Sequence, residues 1–311
     1  MILTEFPNLN WLKAQAEEGF ASRRTWSGER LPVKGWPNVI LNVTSGNMVR
    51  DNIRGPLSIF TNLKGESHVE VDDRRIVVKE GTYFLTNHDQ YYTLAIDKGQ
   101  KAETFNIHFG EYFVDQVYSS LNKDGDLLME DEFRRPPEHI EFHNRLAYRD
   151  DAMQAILVEI KNRPSPNALW LEEKLYDLVR HLLTVEKKVR QMETNIPSVK
   201  ASTRSEILRR LLLVTDYIYG HMDADLALET LAGIACLSKF HFLRLFKLAF
   251  QKTPYQFITE ARIKEARRLL MKTKSEVQEI GRAVGFENTP SFSRMFFNHL
   301  GVYPTDLRRK S

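Results

Sequence analysis

The residues able to do chemistry in this 311-residue chain are nine histidines, one cysteine and a large stock of arginine and lysine. His68, His88 and His108 fall on separate candidate strands, and three imidazoles converging from strands could ligate zinc or iron. The same residues serve as well as strand histidines satisfied by neighbours or by a ligand hydroxyl. His139 and His143 stand four apart on a candidate helix, which is a metal spacing, but the adjacent glutamate of a zinc-protease helix is missing. Cys236 has no second thiol to pair with and lies in a helical turn away from any candidate base, which fits a structural thiol rather than a nucleophile. No G-x-G-x-x-G, P-loop or G-x-S-x-G spacing occurs. The expectation is therefore no catalytic residue, no metal, no cofactor and no enzyme. What remains is arginine: Arg244 and Arg294, each on an amphipathic helix, could bind guanine through a planar fork of donors.

These arginines sit in an internal repeat. Leu231–Lys247 and Ile280–Phe297 align, with Ala232, Ala235 and Leu237 opposite Gly281, Val284 and Phe286, then Phe242, Arg244, Leu245, Phe246 and Pro254 opposite Phe292, Arg294, Met295, Phe296 and Pro304. Each copy reads as helix, tight turn, helix. A small residue (Ala232, Gly281) marks where two helices cross closely, and Gly285 supplies a positive φ in the second turn. Ser238 and Asn288 cap the following helices. Phe242, Leu245, Phe246 and Ala249 fall on one face, as do Phe292, Met295, Phe296 and Leu300, and these are the core faces. Left outside are Lys239, Phe240, Leu243, Arg244 and Lys247 in one copy. In the other they are Thr289, Pro290, Ser291, Ser293, Arg294 and Asn298. A helix of this size fits the major groove of DNA, with Phe240 and Leu243 able to pack on thymine methyls.

Charge distribution agrees. Residues 201–311 hold 18 Lys+Arg against 11 Asp+Glu, whereas residues 1–200 hold 26 against 30, within a chain of net charge +3. A basic C-terminal part on a mildly acidic N-terminal part suits a nucleic-acid partner. No apolar run exceeds four residues, so no membrane partner is expected, and Met1–Pro7 lacks a secretory pattern. With one cysteine, a reducing, cytoplasmic location is expected.

The stretches Leu226–Ala232, Leu237–Lys247, Thr253–Leu270, Gly285–Phe296 and Gly301–Pro304 resemble the C-terminal DNA-binding domain of the AraC/XylS family of bacterial transcription regulators. The resemblance covers about Glu206 to Arg309, a third of the chain. It implies two helix-turn-helix units joined by a central helix, with both recognition helices entering adjacent major grooves on one face of double-stranded promoter DNA. It places Phe240, Leu243 and Arg244 on bases in one groove and Thr289, Pro290, Ser291 and Arg294 on bases in the next, with Lys239, Lys247 and Asn298 beside them. Two positions depart from the family pattern: Gln251 stands where glycine is usual, and Phe297 where a basic residue usually follows Phe296.

Upstream, Asn38–Val43, Leu57–Leu63, His68–Val71, Arg75–Val78, Tyr83–Thr86, Tyr91–Ile96 and Thr104–Phe109 read as short strands, with Asp72-Asp73 as a hairpin turn. Helical spacing follows over Glu111–Leu121, His139–Lys161 and Asn167–Val189. The expected fold class is multidomain, an N-terminal β-barrel plus helices and a C-terminal all-α double helix-turn-helix. The boundaries are 1–190, a linker at 191–205, and 206–311. The order of strands and helices, with Glu80–Leu85 and Phe105–Gly110, resembles the cupin-like sensor domains of the same family. That implies a barrel binding a small-molecule effector, a sugar or aromatic compound, with Trp36, Tyr83, His88, Tyr91, Tyr92 and His108 as candidate contacts. It also implies a homodimer formed by the later helices. The Leu171–Leu183 stripe is either that contact or packing against the barrel's own surface. RNA polymerase is a further partner if the protein activates. The reading is a ligand-responsive transcription regulator. A cupin-type metalloenzyme fused to a DNA-binding module and a constitutive DNA-binding protein stay open beside it.

Overall fold

The computed structural model describes residues 1–14, 37–110, 112–122, 140–197 and 200–309. The chain forms two compact units, Met1–Lys188 and Val189–Ser311.

The first unit runs β1 (Ile2–Leu3), β2 (Val39–Gly55), β3 (Ser58–Lys64), β4 (Ser67–Val71), β5 (Arg74–Val78), β6 (Thr82–Thr86), β7 (Gln90–His108), α1 (Phe113–Asn122), β8 (Leu146–Tyr148), α2 (Asp151–Asn162) and α3 (Ala168–Thr194). Strand order is β1-β2-β7-β3-β6-β8, with β4 and β5 branching from the first half of β7. Pairing is antiparallel except for the parallel β1–β2 contact. Asp72 and Asp73, at φ 49° and 59°, form a two-residue turn between β4 and β5, the backbone that a right-twisted hairpin needs.

Three expectations are corrected. The sheet is open: among the described residues its end strands, β1 of two residues and β8 of three, do not pair with each other, so the hydrogen bonding closes no barrel. The two strands expected at Tyr91–Ile96 and Thr104–Phe109 are halves of one 19-residue strand. The intervening Asp97–Lys101 is exposed, so the ladder continues there with no apolar period to reveal it. The helix expected from His139 begins only at Asp151, where Asp150 caps it by accepting from the Met153 amide, and Leu146–Tyr148 are strand instead.

One face of the sheet packs on the helices. Ile40, Ile59, Leu85, Phe105 and Ile107 meet Val114 and Val117 of α1, Met153, Leu157 and Ile160 of α2, and Leu171, Leu175, Leu178, Val179 and Leu182 of α3. Leu175, Leu178 and Val179 are fully buried, each worth about 1.5–3 kcal/mol of transfer free energy. Most of the apolar stripe of α3 is thus packed on the chain's own sheet.

In the second unit, α4 (Ala201–Gly220) precedes α5 (Leu228–Ile234), α6 (Lys239–Phe250), α7 (Pro254–Lys272), α8 (Val277–Ala283), α9 (Thr289–Leu300) and α10 (Pro304–Arg309). Of the stretch read as a linker, 191–194 finish α3, Ile196 packs with Val189 against Leu208 and Leu211, and α4 opens at Ala201. Thr253 and Gln256 close a reciprocal capping box at the start of α7, with Pro254 at its first turn. That helix serves two cores. Ile258 joins the cluster of Phe242 and Phe246, while Ile263, Ala266 and Leu270 join that of Phe292 and Phe296.

Candidate functional site

Both helix-turn-helix copies are made by the same backbone device. In the first, the Cys236 amide donates to Gly233 O at 2.9 Å and the Leu237 amide to Ala232 O at 3.0 Å. In the second, Gly285 donates to Arg282 O at 2.9 Å and Phe286 to Gly281 O at 2.9 Å. This paired closure ends a helix on a left-handed residue, and Cys236 (φ 51°) and Gly285 (φ 87°) occupy that position. A Cβ at Gly285 would come within 2.6 Å of Met222 O and of the Arg262 guanidinium, so the second turn is closed to larger residues. Arg262 itself binds Met222 O and Ala224 O, both at 2.9 Å, tying α7 to the segment before α5. At Gly281 a Cβ would lie 3.1 Å from the Phe292 ring, which is why the crossing takes a small residue.

The second helix of each copy has 12 residues and starts on a side-chain cap, Ser238 to the His241 amide and Asn288 to the Ser291 amide. Arg244 and Arg294 each fall six residues after the cap. Lys239, Phe240, Leu243, Arg244 and Lys247 are all exposed, with Phe240 at 89%. On α9, Pro290, Arg294 and Asn298 are exposed and Thr289 and Ser291 half-buried. Lys239 pairs with Glu229. Among the described residues no carboxylate pairs with Arg244, Lys247 or Arg294, so their charges are available to a phosphate or a base edge. An 89%-exposed phenylalanine on the same helix as Arg244 and Lys247 has no folding rationale, and a thymine methyl is the kind of surface it suits. The two departures have local consequences. Gln251 takes the left-handed cap of α6 at φ 56°, as Gly301 does for α9 at φ 71°, and Phe297 stacks on Tyr303 at 4.6 Å.

The first unit holds a cavity of about 200 Å³ on the sheet face away from the helices. Val39, Leu41, Phe60, Leu94, Tyr92 and His108 line it from the strands, and Met1, Leu3, Phe6, Pro7, Trp11 and Leu12 from the N-terminal segment. Of the six sequence-predicted contacts, Tyr92 and His108 are here, their rings stacked at 6.3 Å. Tyr83 points the other way, buried among the helices. Tyr91 is 48% exposed, and His88 does not line the cavity. Trp36 and His139 lie outside the described residues. His68 pairs with Asp97 at 2.9 Å rather than meeting His108. Among the described residues no three His, Cys, Asp or Glu side chains form a metal-holding group.

Sequence reasoning missed Arg50, among the described residues the one charged side chain of the lining. It is 9% exposed, donates to Pro7 O at 2.9 Å, and lies over the Phe6 ring at 5.0 Å. The signal was available only through the register. Arg50 pairs with Leu94 and Ile53 with Tyr92, so two residues, Asp51 and Asn52, stand opposite one, Thr93, and this bulge puts Ile53 on the same cavity face as Arg50.

His108 is held neutral. Burial, then the charge of Arg50, lowers its pKa to about 4, while Ser58 Oγ meets Nδ1 at 2.8 Å. Burial pushes the neighbouring Tyr92 hydroxyl up, with Arg50 opposing. Between about pH 6.5 and 4 the unfolded chain therefore binds a proton on this imidazole that the folded chain refuses. Stability of the first unit should be flat above that window and fall through it by a few kcal/mol, because each tenfold loss of proton affinity is worth about 1.4 kcal/mol. All four tryptophans precede Leu171, so urea unfolding followed by their emission reports on this unit. The His108→Gln variant should show a shallower loss between pH 6.5 and 4.5. Parallel curves for the two proteins would refute the assignment.

A family model described as a helix-turn-helix domain matches residues 231–310. Over 135 residues the chain is 31% identical to the MmsAB operon regulatory protein of Pseudomonas aeruginosa, covering 42% of this chain and 42% of that protein. Over 90 residues it is 31% identical to the HTH-type transcriptional regulator ArgR of the same organism, covering 29% of this chain and 27% of that one. A solved transcriptional regulator from Chromobacterium violaceum, of the AraC-type DNA-binding domain-containing proteins, matches at 26% identity and a TM-score of 0.32, covering 36% of this chain and 96% of its own. The chain thus spans less than half the length of these two curated relatives. Among the described residues no helix is long and apolar enough to cross a membrane.

Proposed function

The chain carries an AraC-type helix-turn-helix domain at its C-terminus, and from that premise we propose that it is a ligand-responsive, sequence-specific transcription regulator. The observation that carries the reading is the duplicated unit. Two 12-residue helices, ended and capped alike, each present an arginine without a carboxylate partner six residues after the cap. Helices so built would read adjacent major grooves, Phe240, Leu243 and Arg244 in one and Thr289, Pro290, Ser291 and Arg294 in the next. Lys239, Lys247 and Asn298 would contact the backbone. The operator is then bipartite, with short half-motifs about 10 base pairs apart per subunit.

The sheet unit is read as an effector sensor, its ligand held in the cavity beside Tyr92 and His108. The effector would act by binding the DNA-competent state more tightly than the other. A homodimer is the working assembly, and RNA polymerase is a partner if the protein activates. With most of the α3 stripe occupied by the sheet, the subunits would meet through another surface.

The test is binding of the purified full chain to fragmented DNA of its source, sequenced after enrichment at two salt concentrations. Enrichment of a bipartite motif near promoters, weakening steeply with salt as counterions are released, is expected. Enrichment without any motif, with or without cell extract, would refute sequence-specific regulation.

A further inference from the structure

We infer that the sheet-unit cavity takes a small organic monocarboxylate, its charge on Arg50 and its apolar body against the strands. This rests on the sensor reading above and names the class of ligand.

The argument starts from charge. Arginine stays protonated in proteins, and a buried cation is costly unless an anion or several acceptors meet it. Arg50 is 9% exposed, and among the described residues its contacts are one carbonyl, Pro7 O, and the Phe6 ring. Among the described residues no carboxylate pairs with it. A carbonyl and a ring face leave the charge of the guanidinium uncompensated, and the missing partner is an anion.

Its position is not an accident of a long side chain. Asn47 and Asn52 both adopt φ 49°, and the register shifts between Gly46 and Met48 and again between Arg50 and Ile53, so the backbone is irregular on both sides of the residue whose guanidinium reaches the cavity. Bulges of this kind re-aim a side chain, at a cost to the ladder.

The remaining lining sets the rest of the ligand. Apart from Arg50, the polar groups of the described lining are the Tyr92 hydroxyl, the neutral imidazole of His108, and the Met1 ammonium, which donates to Asn38 O at 2.7 Å. With the Met1 ammonium engaged by Asn38 O, Arg50 is the one charged side chain of the described lining, and it suits one negative charge. A phosphomonoester with nearly two charges would leave one unmatched, whereas a carboxylate fits the guanidinium fork with two parallel bonds. Apolar residues make up the other walls, so a polyhydroxylated sugar would bury hydroxyls without partners. A cavity of about 150 Å³ lined by aliphatic and aromatic side chains takes a benzene-sized molecule. The 200 Å³ here fits a ring or a medium-length chain.

The experiment uses the full chain and two matched pairs of probes, octanoate with octan-1-ol and phenylacetate with 2-phenylethanol. Binding is followed by calorimetry and by tryptophan emission, to which Trp11 of the cavity lining contributes. At least one acid should saturate at one per chain and bind about tenfold or more tightly than its alcohol. Arg50→Met should bring acid and alcohol within about twofold of each other, and Arg50→Lys should keep part of the preference. The comparison on the unaltered protein stands even if the Met variant does not fold. Alcohols binding as well as acids, or neither acid saturating, would overturn the proposal. Binding to an operator fragment is titrated in the same buffer. Acid binding with no change in DNA affinity would then count against the sensor reading alone. A DNA response to some other compound, with no acid preference, would count against this inference alone.

Discussion

Replacing Arg244 and Arg294 together by alanine is expected to weaken specific DNA binding by about 30-fold at the least, while leaving the fold intact. A bidentate arginine–guanine pair is worth about 1–3 kcal/mol of discrimination, so removing two such pairs together gives about 2–6 kcal/mol, and each 1.4 kcal/mol is tenfold. The effect should split cleanly. Arg244→Ala alone should relax preference in one half-motif and Arg294→Ala in the other, because the two residues sit on separate helices, α6 and α9. Affinity for random duplex should fall far less, since that binding is carried by phosphates. Lys247→Ala supplies the contrast: taking away a cation that meets phosphate weakens all sequences alike and lowers the salt slope by about one. Both arginines are exposed and free of ion pairs among the described residues, so melting should shift within about 0.5 kcal/mol. The measurement is a fluorescence-anisotropy titration on the enriched operator and on a scrambled duplex. Equal weakening on both would mean that the arginines read phosphate rather than bases.

The helical unit was legible in the sequence because its instructions are local and written twice. Small residue, turn, cap and aromatic face recur at the same spacing, and a backbone closure such as that at Cys236 or Gly285 depends only on its own few residues. The Asp72-Asp73 hairpin was legible for the same reason. The sheet unit was harder, because a strand's period of two leaves open which face is inward. Tyr83 and Tyr92 look alike in sequence, yet one packs on the helices and the other lines the cavity. Arg50 was hidden more deeply. Counting by twos from Val39 and Leu41 places position 50 on the opposite face; the irregularity between Gly46 and Met48 reverses that, and the one between Arg50 and Ile53 then keeps Ile53 on the same face as Arg50. A bulge depends on the partner strand, so the sequence of one strand does not announce it. The helical periodicity around Leu146 misled because apolar residues three and four apart occur in a short strand and its flanks as well as in a helix.

The second large effect concerns the way the two copies share a helix. Phe292→Ala should destabilise the C-terminal half of the helical unit by about 3–5 kcal/mol, the usual cost of emptying a buried phenylalanine site. Its ring is fully buried, 5.6 Å from Phe296 and 5.3 Å from Phe286, and backs onto Gly281, so little can move in to fill the space. Phe242→Ala should cost a similar amount in the first copy, where the ring is also fully buried, 5.4 Å from Phe246. The two effects should not spread equally. The aromatic clusters are separate, and α7 joins them by giving Ile258 to one and Ile263, Ala266 and Leu270 to the other. In Phe292→Ala, amide exchange should accelerate across α8 and α9 while α4, α5 and α6 keep their protection. On DNA, footprint protection should vanish from the half-motif under α9 and persist under α6. Uniform acceleration through the whole unit would show that α7 binds both copies into a single cooperative fold, and a cost under about 1 kcal/mol would show that the Phe292 site collapses more readily than its neighbours suggest.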